Sequence, residues 1–245
     1  MMLYWIYLGM FAAFVVAVMI KGVWRTKTLT NNAATGKIRI RRRIGNIIFG
    51  ICTLLVVFVM CLIADISFAD VGLRPVSFDH GFWFTAITLG LNGLLFLLFA
   101  YQLIASIVSD EAKKDNAKAY SDPNKSKHDR ATDALRPRNK KERVWGTLGA
   151  LNAGIMEEIV ARGFLFYILQ ALFPNLSIVA IIVVTSIVFG IAHFYQGITG
   201  IVKTALAGGL LGCLFVVTGS LILPMFLHFF VNFSSVFAIT ESDNS

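Results

Sequence analysis

Seven apolar runs dominate the chain, at 3–20, 44–64, 81–108, 144–172, 176–194, 200–218 and 221–239. A helix rises ~1.5 Å per residue, so about 20 apolar residues are needed to cross the ~30 Å hydrocarbon layer of a bilayer. Each run comes near that length. The expected fold is therefore all-α, a polytopic membrane helix bundle of about seven transmembrane helices. A soluble reading fails on composition, since 57% hydrophobic and 15% charged residues leave too little polar surface to cover a 245-residue body in water.

The net charge of +8 would suit a nucleic-acid binder, but the positions of the basic residues exclude that partner. Eight of the 22 lie between Lys21 and Arg43, eleven between Lys113 and Arg143, and only Arg74, Arg162 and Lys203 lie elsewhere. Loop charge of this kind orients membrane proteins, so loops 21–43 and 109–143 are expected to be cytoplasmic and the segment with Asp65, Asp70 and Asp79 to lie outside. The chain then crosses seven times and ends inside with Glu241 to Ser245. No basic residue precedes the first run, and Lys21, Arg25 and Lys27 follow it, which reads as a retained span. The mixed charges, Pro123 and Pro137 of 109–143 predict a solvated boundary between a three-helix region, 1–108, and a core, 144–240. Cys52, Cys61 and Cys213 sit in apolar runs and read as small buried residues.

The core holds nearly all the polar anomalies. Ionisable groups inside a span cost roughly 2.5–3.5 kcal/mol at its centre, so each is a candidate functional residue. The stretch 151–165 carries Asn152, Glu157, Glu158 and Arg162. Glu158 and Arg162 are four apart in the favourable order and should pair on one helix face. Glu157 points roughly 100° away, without such a partner, on a face with Ala150, Ala153, Gly154 and Ala161. Counted from Gly146 it lies ~16 Å along the helix, near the bilayer centre. The fifth run ends at His193, and His228 and Asn232 share a face of the seventh. A carboxylate, two imidazoles and a carboxamide on three helices suit water activation with oxyanion stabilisation. The alternative is a polar knot that only fastens helices.

Depth sets a condition. By counting, His193 lies ~25 Å from the outer end of its run and His228 only ~10 Å from the outer end of its own. Their convergence requires tilted helices or a sunken start near Leu221 to Pro224.

Other hydrolase plans fail. Ser220 lacks the GxSxG context, HExxH is absent, every Asp is at a helix end or in a loop, and no cysteine has a nearby histidine. A carboxylate base remains.

Glu157-Glu158-x-x-x-Arg162, Phe189-x-x-x-His193 and His228-x-x-x-Asn232, on successive helices, resemble the three motifs of the CPBP family. These are the CAAX-processing and bacteriocin-processing intramembrane proteases, also called the Abi family. The resemblance covers about 144–239, with Gly72-Leu73-Arg74-Pro75 as upstream support. It implies an intramembrane endopeptidase in a bacterial cell membrane, acting on a membrane-adjacent peptide or protein, with a role in bacteriocin processing or self-immunity. It also implies Glu157 as base, His193 as holder of the water, His228 and Asn232 as the oxyanion pair, and Glu158 with Arg162 as support. No cofactor is expected. Zinc on one carboxylate and two imidazoles is the disfavoured variant, because His228 has a second role beside Asn232. A non-catalytic immunity or regulatory protein that uses the cluster for packing or partner binding is the competing function; a proton-relaying transporter lacks an inverted repeat.

Overall fold

The computed structural model of the protein describes residues 1–31, 35–78, 80–109, 134 and 136–237. Most of the expected solvated segment, the Glu241 to Ser245 tail and Asp79 lie outside the described residues.

Among the described residues every regular element is helical. In chain order these are α1 (Met2–Asn31), α2 (Gly36–Ile63), α3 (Phe82–Val108) and α4 (Lys140–Glu158). A π-helical segment, Ile159–Phe164, then leads into α5 (Leu165–Leu172). α6 (Ile178–Ala192), a 3₁₀ turn (Phe194–Gln196), α7 (Gly197–Thr218) and α8 (Ile222–Phe237) complete the bundle. Local chemistry sets several ends. Asn139 caps α4 by accepting from the Glu142 N–H, and Ser177 caps α6 by accepting from the Ala180 N–H. α7 stops at Gly219, which takes the left-handed conformation with φ 57°.

Helices occupy all seven apolar runs, and four stretches are long and apolar enough to span: Met2–Gly22, Gly36–Ile63, Phe82–Val108 and Phe194–Thr218. α6 and α8, with 15 and 16 residues, are ~23 Å long and fall short of the hydrocarbon thickness. The 21–43 region departs from expectation. It is not a loop: α1 continues to Asn31 and α2 begins at Gly36, so the basic residues extend the two helices beyond their apolar lengths. Lys and Arg are good helix formers, so each helix can run on past its apolar stretch with its hydrogen-bond ladder intact.

α4 lies between α2 and α8, α6 pairs with α7, and α3 packs across α7 and α8. α1 touches α5, α6 and the 3₁₀ turn. The core around α5 and the π segment is built from Phe164, Phe166, Ile168 and Ile181. Trp5, Leu55, Leu62, Leu97 and Ile104 face outward, the surface a bilayer covers.

The start of α8 is sunken. Thr218, Ser220 and Leu221 have no exposed surface, because the 64–81 segment folds over them. The Leu221 N–H donates to the Gly72 carbonyl at 2.9 Å, the Ser77 N–H to that of Thr218 at 2.9 Å, and Arg74 Nε to that of Gly219 at 2.6 Å. Ser220 Oγ donates to the Arg74 carbonyl at 2.5 Å. The Gly72 to Pro75 phrase is thus the clamp that holds the α7–α8 turn inside, and the difference in depth between His193 and His228 closes there.

At the opposite end, Arg39 reaches across from α2 to Glu142 of α4, Nε to Oε2 at 2.7 Å and Nη2 to Oε1 at 3.0 Å. Both side chains are buried. Burial pushes the Glu142 carboxyl up, but hydrogen bonds from Arg39, the Arg138 backbone and Asn139 outweigh it and hold the group below the ordinary glutamate value. The remnants of the two basic segments therefore meet at one end of the bundle.

Candidate active site

Three helices deliver the site. α4 ends in Glu157 and Glu158, His193 caps the end of α6, and α8 presents His228 and Asn232. α4 and α8 approach closely because position 154 is glycine: a Cβ there would stand 2.8 Å from the Phe229 backbone nitrogen. Small residues permit this approach wherever apolar surroundings supply no other driving force.

Glu158 and Arg162 pair at 2.9 Å (Nη1 to Oε1), with 0% and 1% of their side chains exposed. Arg162 sits within the π segment, where the Leu165 N–H bonds to the Val160 carbonyl, five residues back. The wider turn is a backbone feature often tied to functional sites. It aims the guanidinium inward, with Nη2 donating to the Gly208 carbonyl at 3.0 Å and the group stacked 4.3 Å from the Phe189 ring centroid. His228 completes the set, Nδ1 to Glu158 Oε1 at 2.7 Å. That oxygen accepts from both a guanidinium and an imidazole, so Glu158 is an ionised anchor.

Glu157 is set differently. Its Oε2 is buried and makes no hydrogen bond among the described residues, while the side chain as a whole is 24% exposed. His193 Nε2 lies 3.6 Å from Oε2 and His228 Nε2 lies 3.8 Å from it. His193 Nδ1 is 2.8 Å from the Phe189 carbonyl, which can only accept, so Nδ1 carries the proton. His228 Nδ1 likewise donates to Glu158. In each neutral ring the Nε2 facing Glu157 is then a lone-pair acceptor.

Glu157, His193 and Asn232 line one cavity of ≈ 370 Å³. Ala150, Ala153 and Ala161 line it as well, the small-residue face expected around Glu157. Asn232 makes no side-chain hydrogen bond among the described residues. His228 is not part of the cavity wall; it stands behind Glu157, between that carboxylate and Glu158. The structure brings together Glu157, Glu158, Arg162, His193 and His228, and places Asn232 on the same cavity.

Sequence reasoning missed four contributors. The Phe189 carbonyl fixes the His193 tautomer and its ring covers Arg162; its place four residues before His193 was the available signal. The Gly208 carbonyl, on α7, left no trace in spacing. Lys21 of α1 and Arg43 of α2 also line the cavity, a role that nothing in their loop-like surroundings indicated.

Residues 139–234 match the family described as type II CAAX prenyl endopeptidase Rce1-like. No curated protein and no solved structure matches the chain. The matched segment runs from the cap of α4 into α8 and contains every member of the glutamate–histidine cluster, while α1, α2 and α3 precede it. The segment that carries this cluster is therefore similar to the Rce1-like type II CAAX prenyl endopeptidases, in line with the CPBP resemblance.

Proposed function

We propose that the protein is an intramembrane endopeptidase that hydrolyses a peptide bond of a membrane-adjacent protein or peptide, with Glu157 as its general base. The observation that carries this reading is the setting of the Glu157 carboxylate: between two imidazole nitrogens, without a hydrogen bond on Oε2, at the wall of a cavity. A water on the cavity side gives one proton to Glu157 as its oxygen adds to the substrate carbonyl carbon. His193 Nε2 accepts the second hydrogen of that water and orients it. The carbonyl electron pair moves to oxygen, where the Asn232 amide donates to the oxyanion, a contribution of ~3 kcal/mol by comparison with single donors elsewhere. Collapse breaks the C–N bond, and the proton on Glu157 passes to the leaving amine. Glu158 and Arg162 fix the His228 ring that stands behind the Glu157 carboxylate.

One carboxylate and two imidazoles are chemically a zinc donor set. Glu157, His193 and His228 are the residues that would hold such an ion, and no step here runs through one. The basic ends of α1 and α2 would face the cytoplasm of a bacterial cell, where bacteriocin processing or self-immunity is the cellular role we favour.

The test uses the full chain in phosphatidylcholine vesicles with an internally quenched, farnesylated CAAX peptide. Glu157→Gln keeps size and polarity but removes the base, and should lower cleavage by at least ~10²-fold at unchanged insertion. Cleavage that survives the substitution would remove Glu157 as the base, and absence of cleavage by the parent chain would leave the non-catalytic scaffold.

A further inference from the structure

The wall of the Glu157 cavity carries more polar side chains than the reaction uses, and most of them are occupied. Thr185 Oγ1 donates to the Ile181 carbonyl at 2.9 Å, and Ser235 Oγ donates to that of Asn232 at 2.6 Å. Lys21, Arg43 and Tyr195 have partners of their own. Three carboxamides remain uncommitted among the described residues. Asn232 is already assigned to the oxyanion and Asn46 is exposed, which leaves Asn152. Packing fixes its position: a Cβ on Gly50 of α2 would collide with both Nδ2 and Oδ1 of Asn152, so the amide lies against the α2 backbone in the room that a glycine leaves.

An extended peptide in a water-poor cavity has no internal partners for its N–H and C=O groups, and each one left unpaired there is costly. A carboxamide offers an N–H donor and an oxygen acceptor, the complement of a peptide group whatever side chains the peptide carries. Asn152 belongs to the same unbroken helix as Glu157, five residues earlier, so α-helical geometry puts their Cα atoms ~9 Å apart. An extended chain covers that length with two to three residues at ~3.4 Å each.

Resting on the endopeptidase reading, we propose that Asn152 is a substrate-binding residue whose carboxamide pairs with the substrate main chain two to three residues from the scissile bond. The cavity then selects an extended backbone at that point and not a particular side chain.

Ester substitution reads such a contact directly, because it replaces one main-chain N–H by oxygen and leaves the side chains unchanged. The full chain carrying Glu157→Gln is placed in phosphatidylcholine vesicles and titrated by fluorescence anisotropy. The ligands are a dansylated farnesyl CAAX peptide and a set in which each peptide bond within three residues of the scissile one is replaced in turn by an ester. One ester, two to three residues from the scissile bond, should bind about five- to tenfold more weakly than the peptide. Adding Asn152→Ala should weaken the peptide by a similar factor and bring that ratio close to one. Asn152→Leu, which returns the lost volume but no hydrogen bond, should do the same. A peptide that does not bind, or esters that all bind as the peptide does, overturns the proposal. So does a ratio that persists in both variants; if every ligand weakens alike, Asn152 only holds α2 against α4. Cleavage by the Glu157 chain is measured separately, so failure of the catalytic reading leaves this result readable.

Discussion

His228 Nδ1 and Glu158 Oε1 lie 2.7 Å apart, and Arg162 Nη1 reaches the same oxygen at 2.9 Å. The cation and the imidazole share one anion that is removed from solvent. Taking either partner away leaves a buried charge without compensation, which typically costs 3–5 kcal/mol. Arg162→Met should lower stability by about that amount, and Arg162→Lys should recover only part of it, because an ammonium cannot serve Glu158 and the Gly208 carbonyl with the same planar fork. Thermal unfolding in detergent measures both; an Arg162→Met chain as stable as the parent would contradict the arrangement.

Asn232 is on the cavity wall with its amide uncommitted. If that amide meets the developing oxyanion, Asn232→Ala should reduce kcat by about 10²–10³-fold with little change in KM. A loss confined to KM would instead assign Asn232 to substrate binding.

Gly154 sets the spacing of α4 and α8. The obstacle that a methyl group meets is the Phe229 backbone, which cannot swing aside as a side chain can. Gly154→Ala should cost ~1–3 kcal/mol and reduce cleavage as well, since Glu157 and His228 sit on the two helices that it forces apart. Unchanged stability and activity would argue against so close an approach.

The Arg39–Glu142 pair makes a pH prediction. Glu142 has a lowered value in the folded protein, so its contribution to stability is present in full above the ordinary glutamate range of about 4.3–4.5 and is lost as pH falls through the folded value. Glu142→Gln should therefore destabilise at pH 7, and the difference from the parent should shrink below about pH 4.5. Unfolding midpoints of parent and variant across pH 3 to 8 check the sign.

Chelation tests the metal-free chemistry. Activity of the purified full chain should survive prolonged treatment with a strong chelator, whereas a zinc site would lose activity and regain it on metal addition.

The bundle was legible because apolar runs of this length have few other fates, and the Glu158–Arg162 pair because four residues of helix put two side chains on one face. The π segment was not. A single extra residue in a turn leaves hydrophobic periodicity almost unchanged over a short window, and Ile159, Val160 and Ala161 suit either geometry. The partners of Arg39 were equally hidden, since residues 39 and 142 are joined only in space. Lys21 shows the limit of charge counting: it stands at the end of a stretch long and apolar enough to span, and the same residue lines the cavity. The positions of His228 and His193 could be reconciled only through the 64–81 clamp, where two of the bonds run from backbone to backbone and leave little imprint on side-chain identity, and the side chains of Arg74 and Ser220 bond to carbonyls distant in sequence.

The sunken entry of α8 closes one end of the bundle. That floor is stitched by carbonyls and amides from Gly72 to Leu221, while Lys21 and Arg43 line the cavity near the other end. Removing the Ser220 hydroxyl would loosen that floor while leaving every side chain of the glutamate–histidine cluster intact.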